Sequence, residues 1–369
     1  MKHLQVLLAL FAFTFLRLHA ASLADLTYTT TDGKVTITDC NTAAAGELVI
    51  PDTIGGNPVT SIRSNAFLSC ASLTSIDIPD SVTSMGFGCF FKCASLTSII
   101  IPDGVTSIGD GNWAECTNLT SVTIPDSVKS IGIDAFYKCA SLTSITIPDS
   151  VTSIGGGAFY NCTSLKSIII PDGVAIINRS TFYNCTSLTS VKIGSGVTTF
   201  DDNDPFNDPP DDDEIAGAFQ NCTNLENITI PDRVTRIDLK TFYGCTSLQN
   251  ITFLATTAPT LGFLVFEKIN TNAQITILDN AEGYGETFGG IMVVRMPVVS
   301  KPLQVFNVTS EPFRFSFNTT VDRSYTVEAT GDLQRWEAVE LFQGSGGEIR
   351  FTAKPTLSGK SHFFRVLVE

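Results

Sequence analysis

Residues 142–162 read LTSITIPDSVTSIGGGAFYNC, and this stretch decides the fold because close copies of it recur along the chain. Ile145-Thr146-Ile147 alternates apolar and polar residues as a strand does, and Pro148 ends the strand because it has no amide proton to continue a ladder. The Pro-Asp-Ser sequence then favours a turn, and Val151 to Ile154 predicts a second short extended piece. Residues 158–162 are predicted to form one helical turn that returns the chain.

The copies keep a period of 23 residues. The tripeptide Ile-Pro-Asp begins at Ile78, Ile101, Ile124, Ile147 and Ile170. Ile193 keeps the period, and Ile230 follows 37 residues later, after one period plus a 14-residue insertion at 201–214. An aromatic residue has the same period, at Phe67, Phe90, Trp113, Phe136, Phe159, Phe182, Phe219 and Phe242. Because one such coil cannot bury its own apolar face, we predict eight coils stacked around a shared core over residues 50–253.

The pattern Leu-x-x-Ile-x-Ile-Pro-x-x-Val-x-x-Ile-x-x-x-Ala-Phe-x-x-Cys resembles the BspA-type leucine-rich repeat of bacterial surface proteins. This resemblance implies a β-rich leucine-rich-repeat solenoid with short strands and single helical turns. Residues 21–49 are similar to the family's N-terminal β-hairpin cap, with Asp32-Gly33 as the hairpin turn, and residues 254–295 resemble its closing cap. The resemblance also implies surface attachment, adhesion or protein recognition.

The period disappears after about Met296, and residues 296–369 contain six short strand-like segments. These segments predict a small antiparallel β-sandwich. The region resembles a C-terminal module of exported proteins from Verrucomicrobia-like bacteria. Its Trp336 could stack on a sugar, although packing between strands explains the same residue. This leaves an alternative function, a polysaccharide-binding accessory protein that acts through the C-terminal module.

Residues 1–20 indicate a secretory signal peptide. Lys2 precedes an apolar run from Leu4 to Leu16, and small residues follow at Ala20-Ala21. The apolar run is too short to span a membrane, and no second run of 18 apolar residues follows it. No cysteine lies near the cleavage point, so a lipoprotein anchor is not expected. We therefore expect a secreted or cell-surface monomer without an integral membrane segment.

The composition argues against several function classes. A net charge of −14 repels nucleic acid and anionic lipid. Two of the three histidines, His3 and His19, fall in the signal peptide, which leaves His362 as the only imidazole for a triad, dyad or zinc site. We therefore expect no catalytic residues and no enzymatic activity.

Eight of the ten cysteines share one repeat position. They are Cys70, Cys93, Cys116, Cys139, Cys162, Cys185, Cys222 and Cys245. Stacked positions place neighbouring Cβ atoms about 4.8 Å apart and parallel, whereas a disulfide needs converging Cβ atoms about 3.5–4.5 Å apart. We predict a ladder of buried free thiols, with scattered disulfides as the alternative; Cys40 is not explained by the repeat.

The outward residues of the first strand in each coil, which we call the strand face, are mostly serine and threonine. The candidate ligand-binding residues on it are Thr97, Thr120, Thr123, Thr143, Thr146, Lys166, Thr189 and Lys192. Such a face suits many weak hydrogen bonds to an extracellular protein or polysaccharide, although serine and threonine also simply suit exposed β ladders.

The 14-residue insertion at 201–214 is strongly acidic. Its oxygen ligands could hold Ca²⁺, and no other cofactor is expected. The candidate ligands are Asp201, Asp202, Asp204, Asp208, Asp211, Asp212 and Asp213. A solvated loop and a contact for a basic partner are the alternatives, because the segment lacks the spacing of an EF-hand loop.

Overall fold

The computed structural model describes residues 19–200 and 216–296 and, beyond these, six C-terminal strands. The chain divides into two compact units. The first comprises Met1–Ile277 and Ala281–Val294, and the second comprises Leu278–Asn280 and Arg295–Glu369. Within the described residues the one helical element is a 3₁₀ helix at Leu23–Asp25.

Short strands make up the region to Met296. In chain order they are β1 (His19–Ala20), β2 (Leu26–Thr31), β3 (Lys34–Cys40), β4 (Ala44–Val49), β5 (Thr53–Ile54), β6 (Asn57–Ile62), β7 (Ser72–Asp77), β8 (Ser84–Met85), β9 (Ser98–Ile100), β10 (Ser107–Ile108), β11 (Ser121–Thr123), β12 (Ser130–Ile131), β13 (Ser153–Ile154), β14 (Ser167–Ile169), β15 (Ile176–Ile177), β16 (Ser190–Lys192), β17 (Thr199–Phe200), β18 (Asn227–Ile230), β19 (Arg236–Ile237), β20 (Asn250–Phe253), β21 (Thr260–Leu261), β22 (Gln274–Leu278), β23 (Thr287–Phe288) and β24 (Ile291–Met296).

The strands stack as a β-solenoid of about ten turns, which confirms the predicted fold class. The first strands of successive coils pair parallel and in register, so Ser98 lies opposite Ser121 and Ser167 opposite Ser190. The stack is longer than the eight predicted coils because β4 pairs with β7 at one end and β22 pairs with β20 at the other. In the coil of the predicted Ile145–Ile147 strand, the pairing begins one residue earlier and is reduced to a bridge from Ser144 to Ser167.

A second parallel row runs along another side of the coils. It contains β6, β8, β10, β12, β13, β15, β17, β19 and β21. At the N-terminal end, β2 and β3 pair antiparallel around Asp32 and Gly33, whose φ angles are 51° and 70°. A left-handed turn of this kind suits an Asp-Gly pair, because glycine carries no Cβ to clash.

The third side of each coil, which we call the turn side, differs from the prediction because it is not helical. In the coil of Phe136, residues Asp134 and Lys138 have φ angles of 54° and 57°. The amides of Asp134, Phe136 and Lys138 donate to carbonyls of the next coil, at 3.0, 2.8 and 2.7 Å. An α-helix would use these amides within its own turn, so bonding between coils replaces helix formation.

A column of aromatic rings fills the interior beside the turn side. The rings from Phe67 to Phe266 stack on one another, with centroids 5.0 Å apart for Phe67 and Phe90 and 5.8 Å apart for Phe90 and Trp113. The insertion does not interrupt the column, because the Phe182 and Phe219 centroids are 5.0 Å apart. Offset stacking of this kind adds to the stabilisation from burying the rings.

The cysteines form the predicted ladder of free, buried thiols. Seven of the eight repeat thiols donate to the carbonyl of an aromatic residue in the preceding coil, as Cys139 does to Trp113 at 3.2 Å and Cys162 to Phe136 at 3.2 Å. Burial raises the pKa of the Cys185 and Cys245 thiols to about 12. Thiols held protonated in this way act as small apolar residues with a weak donor. Cys40 is also buried and extends the ladder, because the Cys70 thiol donates to the Cys40 carbonyl at 3.8 Å.

The second unit contains two three-stranded antiparallel sheets. Its strands are β25 (Phe306–Ser310), β26 (Phe313–Asn318), β27 (Ser324–Thr330), β28 (Glu337–Gln343), β29 (Glu348–Thr352) and β30 (Phe363–Val368). The strand orders are β25-β26-β29 and β28-β27-β30. Phe317 and Tyr325, one from each sheet, are buried with ring centroids 5.7 Å apart. The sandwich arrangement of these sheets stays a prediction.

Candidate binding surface

All eight predicted ligand-binding residues are exposed on the strand face, which consists of three outward columns. The first column is Thr74, Thr97, Thr120, Thr143, Lys166, Thr189, Glu226 and Gln249. The second is Ser75, Ser98, Ser121, Ser144, Ser167, Ser190, Asn227 and Asn250. The third is Asp77, Ile100, Thr123, Thr146, Ile169, Lys192, Thr229 and Thr252. Register pairing brings neighbouring members of each column together across adjacent strands.

The threonine hydroxyls of the first column are oriented by the backbone. Thr97 donates to the Thr74 carbonyl at 3.1 Å, and Thr120 donates to the Thr97 carbonyl at 2.9 Å. In the same way, the Thr189 hydroxyl donates to the Lys166 carbonyl at 3.1 Å. Because the hydroxyl proton is used along the stack, these threonines present acceptor lone pairs rather than donors to a ligand. The column therefore both ties the coils together and offers a fixed row of acceptors.

The chemistry of the strand face changes along the stack. Ile100 and Ile169 project from it with 69% and 57% of their surface exposed. Ile169 lies opposite Lys192 in the strand register, and the exposed Lys166 directly precedes the strand that contains Ile169. This section of the strand face therefore carries two cations, on neighbouring coils, and an exposed isoleucine. A ligand can therefore be recognised by position along the face as well as by hydroxyl contacts.

The predicted calcium ligands lie outside the described residues. The residues that flank them, Phe200 and Ala216, show where the insertion leaves the solenoid. Phe200 belongs to the second strand row, and the Ala216 carbonyl accepts from the Ser180 amide at 3.1 Å on the turn side. The two ends of the insertion are therefore attached to the second strand row and to the turn side, and not to the strand face. Over residues 19–200 and 216–296 no three His, Cys, Asp or Glu side chains converge on a metal position.

Sequence reasoning missed a hollow on the turn side with a volume of about 390 Å³. It lies over Ala114, between Phe91 and Tyr137, and the exposed side chains of Phe87 and Ile133 stand at its rim. The signal in the sequence is Ala114 itself, because the equivalent residues one coil away on either side are aromatic. Trp336 and His362, the other candidates for binding or chemistry, lie outside the described residues.

Among the residues that the structure describes, no helix has the length and apolarity to cross a bilayer.

Comparison with known proteins gives a consistent match to one family. The matching family model is described as a BspA type leucine rich repeat region, with six copies, and it matches residues 46–132, 106–207 and 215–288. No curated protein sequence matches the chain.

Solved structures give a similar result. A leucine-rich repeat protein from Bacteroides ovatus is 25% identical with a TM-score of 0.50, covering 74% of this chain and 75% of that one. A leucine-rich repeat protein from T. pallidum is 30% identical with a TM-score of 0.45, covering 49% of this chain and 88% of that one. A leucine rich cell surface protein from Faecalibacterium prausnitzii is 22% identical with a TM-score of 0.31, covering 75% and 94%. The Bacteroides likeness supports the solenoid fold.

Proposed function

Because the chain belongs to the BspA-type leucine-rich repeat family, we propose that it is a secreted or cell-surface binding protein that recognises an extracellular protein through its strand face. Leucine-rich repeat surface proteins of bacteria generally serve protein binding or adhesion, and the family is typically non-enzymatic. The proposal adds a surface, a ligand class and a route of export to that general role. Residues 1–20 would act as a Sec signal peptide, without lipid attachment.

The observation that carries the proposal is the regular exposure of the strand face over consecutive coils. Its outward side chains are short, and hydroxyls at Thr97, Thr120 and Thr189 are held by backbone carbonyls. A surface that is already ordered loses little conformational entropy when a ligand binds. Extended surfaces of stacked repeats bind protein partners in this way. The basic section at Lys166 and Lys192 would contact an acidic part of the ligand.

The test is binding of the full chain to an array of extracellular-matrix proteins and polysaccharides, with calcium present. A strand-face variant carries four substitutions: Thr120→Glu, Thr123→Glu, Thr143→Glu and Thr146→Glu. A control variant adds the same charge beside the second strand row, at four exposed positions: Thr83→Glu, Thr106→Glu, Ser107→Glu and Thr152→Glu. We expect the strand-face variant to bind protein spots at least about tenfold more weakly than the control, because carboxylates would block the row of acceptors.

An equal loss of binding in the strand-face variant and in the control variant would contradict recognition through the strand face. Retention on glycans alone would favour the polysaccharide-binding alternative, provided that deletion of residues 296–369 removes it. Calcium dependence of either signal would test the acidic insertion, since chelation would then release the ligand.

A further inference from the structure

The turn side carries an outer column of side chains next to the buried aromatic column. Its members are Leu68, Phe91, Ala114, Tyr137, Tyr160, Tyr183, Gln220 and Tyr243. The rings of Tyr137 and Tyr160 stack with centroids 4.9 Å apart, and those of Tyr160 and Tyr183 with centroids 4.5 Å apart. Ala114 interrupts this column, so the faces of Phe91 and Tyr137 that point towards it have no ring between them. We call this hollow the Ala114 notch.

The Ala114 notch has the width of one planar group. Phe91 and Tyr137 are two coils apart, and strands spaced by about 4.8 Å place them about 10 Å from each other. This distance admits one flat group in contact with both rings. Ala114, which is 4% exposed, forms the floor together with Gly111, and Phe87 and Ile133 at the rim are 60% and 48% exposed. A volume of about 390 Å³ is in the range of small ligand sites.

Three carboxylates line the Ala114 notch: Asp110, Glu115 and Asp134. Asp110 Oδ1 accepts from the Ile133 amide at 2.8 Å, which fixes that carboxylate at the rim. Burial, and then the charge of Asp110, raise the pKa of Asp134 above its usual range. The two aspartates thus repel each other across a partly desolvated site, and a cation placed between them would relieve the repulsion.

Two lysines of the chain show that these rings accept cations. Lys92 Nζ lies 4.9 Å from the Phe91 centroid and 3.9 Å from Glu115 Oε2. Lys138 Nζ lies 4.9 Å from the Tyr137 centroid. Lys92 pairs with Glu115, which leaves Asp110 and Asp134 as the carboxylates available to a ligand.

We propose that the Ala114 notch binds an arginine side chain presented by a partner protein. A guanidinium is planar, stacks on aromatic faces and pairs with carboxylates through several donors, so it matches the two rings and the two aspartates together. An ammonium is compact and strongly hydrated, and it fills a flat slot less well. The site lies on the turn side, so it is separate from the strand face and does not depend on the function proposed for that face.

The probe is N-acetyl-arginine amide, titrated into the full chain and followed by saturation-transfer NMR. The matched probes are the citrulline amide, which keeps the shape without the charge, and the lysine amide. Ala114→Tyr fills the notch with the residue found at the equivalent position 137. Gln220→Tyr is the control, since it adds the same ring to the same column outside the notch.

We expect the arginine probe to bind with a Kd of about 1–10 mM, the range for a single side chain. The saturation-transfer signal should be at least about fivefold weaker for the citrulline and lysine probes, and equally weaker for the arginine probe with the Ala114→Tyr variant. With Gln220→Tyr the signal of the arginine probe should stay within about twofold of that with the unchanged chain. Asp110→Asn with Asp134→Asn provides a second variant if Ala114→Tyr fails to fold, and it should also lower the signal about fivefold. Equal binding of citrulline, unchanged binding to Ala114→Tyr, or no binding of the arginine probe would each overturn the proposal.

Discussion

The strand face and the turn side belong to the same coils, yet they repeat to different degrees. On the strand face the second column is serine in six consecutive coils. On the turn side the positions equivalent to Phe87 include Asp110, Ile133 and Arg179. The backbone is nevertheless regular on both sides, because amides of one coil bond carbonyls of a neighbouring coil in each case.

This difference indicates where recognition can be specific. The serine column of the strand face offers the same contact in six consecutive coils, so a ligand's position along the stack axis depends on side chains that depart from serine and threonine, such as Ile100, Ile169 and Lys192. On the turn side the positions equivalent to Phe87 change from coil to coil, and the Ala114 notch occurs there because one residue of the otherwise mostly aromatic outer column is small. The two sides thus suit an extended ligand and a single side chain, respectively.

The largest expected loss of stability comes from a substitution in the buried aromatic column, which belongs to the interior that both sides share. Phe136 is fully buried, and its ring stacks on those of Trp113 and Phe159 at 5.4 Å each. Phe136→Ala should lower the free energy of unfolding by about 3–5 kcal/mol, since it removes ring contacts and leaves a cavity. Urea unfolding followed by tryptophan fluorescence and by circular dichroism measures this loss.

Phe136→Leu is the matched control and should cost less, because it fills part of the cavity. With Trp336→Phe in the background, fluorescence reports Trp113 in the solenoid alone and should show one transition. Two transitions in that signal would show that the interior of the solenoid is not cooperative.

A smaller effect is expected on the strand face. Thr120→Val keeps the side-chain shape but removes the hydroxyl that donates to the Thr97 carbonyl at 2.9 Å. The same carbonyl still accepts from the Thr120 amide at 2.9 Å, so no buried acceptor is left unpaired. Thr120→Val should lower the free energy of unfolding, measured with urea, by about 0.5–1 kcal/mol, and Thr120→Ser should recover most of that loss. A cost above about 2 kcal/mol would mean that the threonine column is chiefly structural.

The smallest effect concerns Asp134 on the turn side, whose pKa is raised in the folded protein. A raised pKa means that the folded state binds the proton more tightly, so this group disfavours folding once the pH rises above 3.8, its unperturbed value. Asp134→Asn should therefore stabilise the protein at pH 7, by about 0.5 kcal/mol or less because the group is half-exposed.

The gain from Asp134→Asn should vanish at a pH well below that unperturbed value, where the wild-type carboxyl is neutral in both states. Thermal unfolding across the pH range measures it. A gain that is constant with pH would assign the effect to the left-handed backbone at this position, which asparagine also favours.

The sequence predicts the repeating parts of this molecule well because each column position has the same environment in every coil. Phe136 and Cys139 could be placed in the core from spacing alone, as could the outward direction of Thr120. The left-handed conformation of Lys138 could not, because nothing in a lysine favours it; carbonyls of the next coil impose it. The Ala114 notch was missed for a related reason, since a small residue shows as a gap only once its neighbours are in place.

The aromatic column passes the acidic insertion without a change of spacing. Phe67 and Phe90 are 23 residues apart in sequence and Phe182 and Phe219 are 37 apart, yet both pairs of ring centroids are 5.0 Å apart. The number of residues between Phe200 and Ala216 therefore does not change the spacing of the coils on either side. For a protein engineer this junction is a graft point: an epitope or a binding loop inserted there would be displayed without disturbing the coils on either side. Insertions and deletions in the corresponding part of the gene should likewise have little effect on the stability of the solenoid.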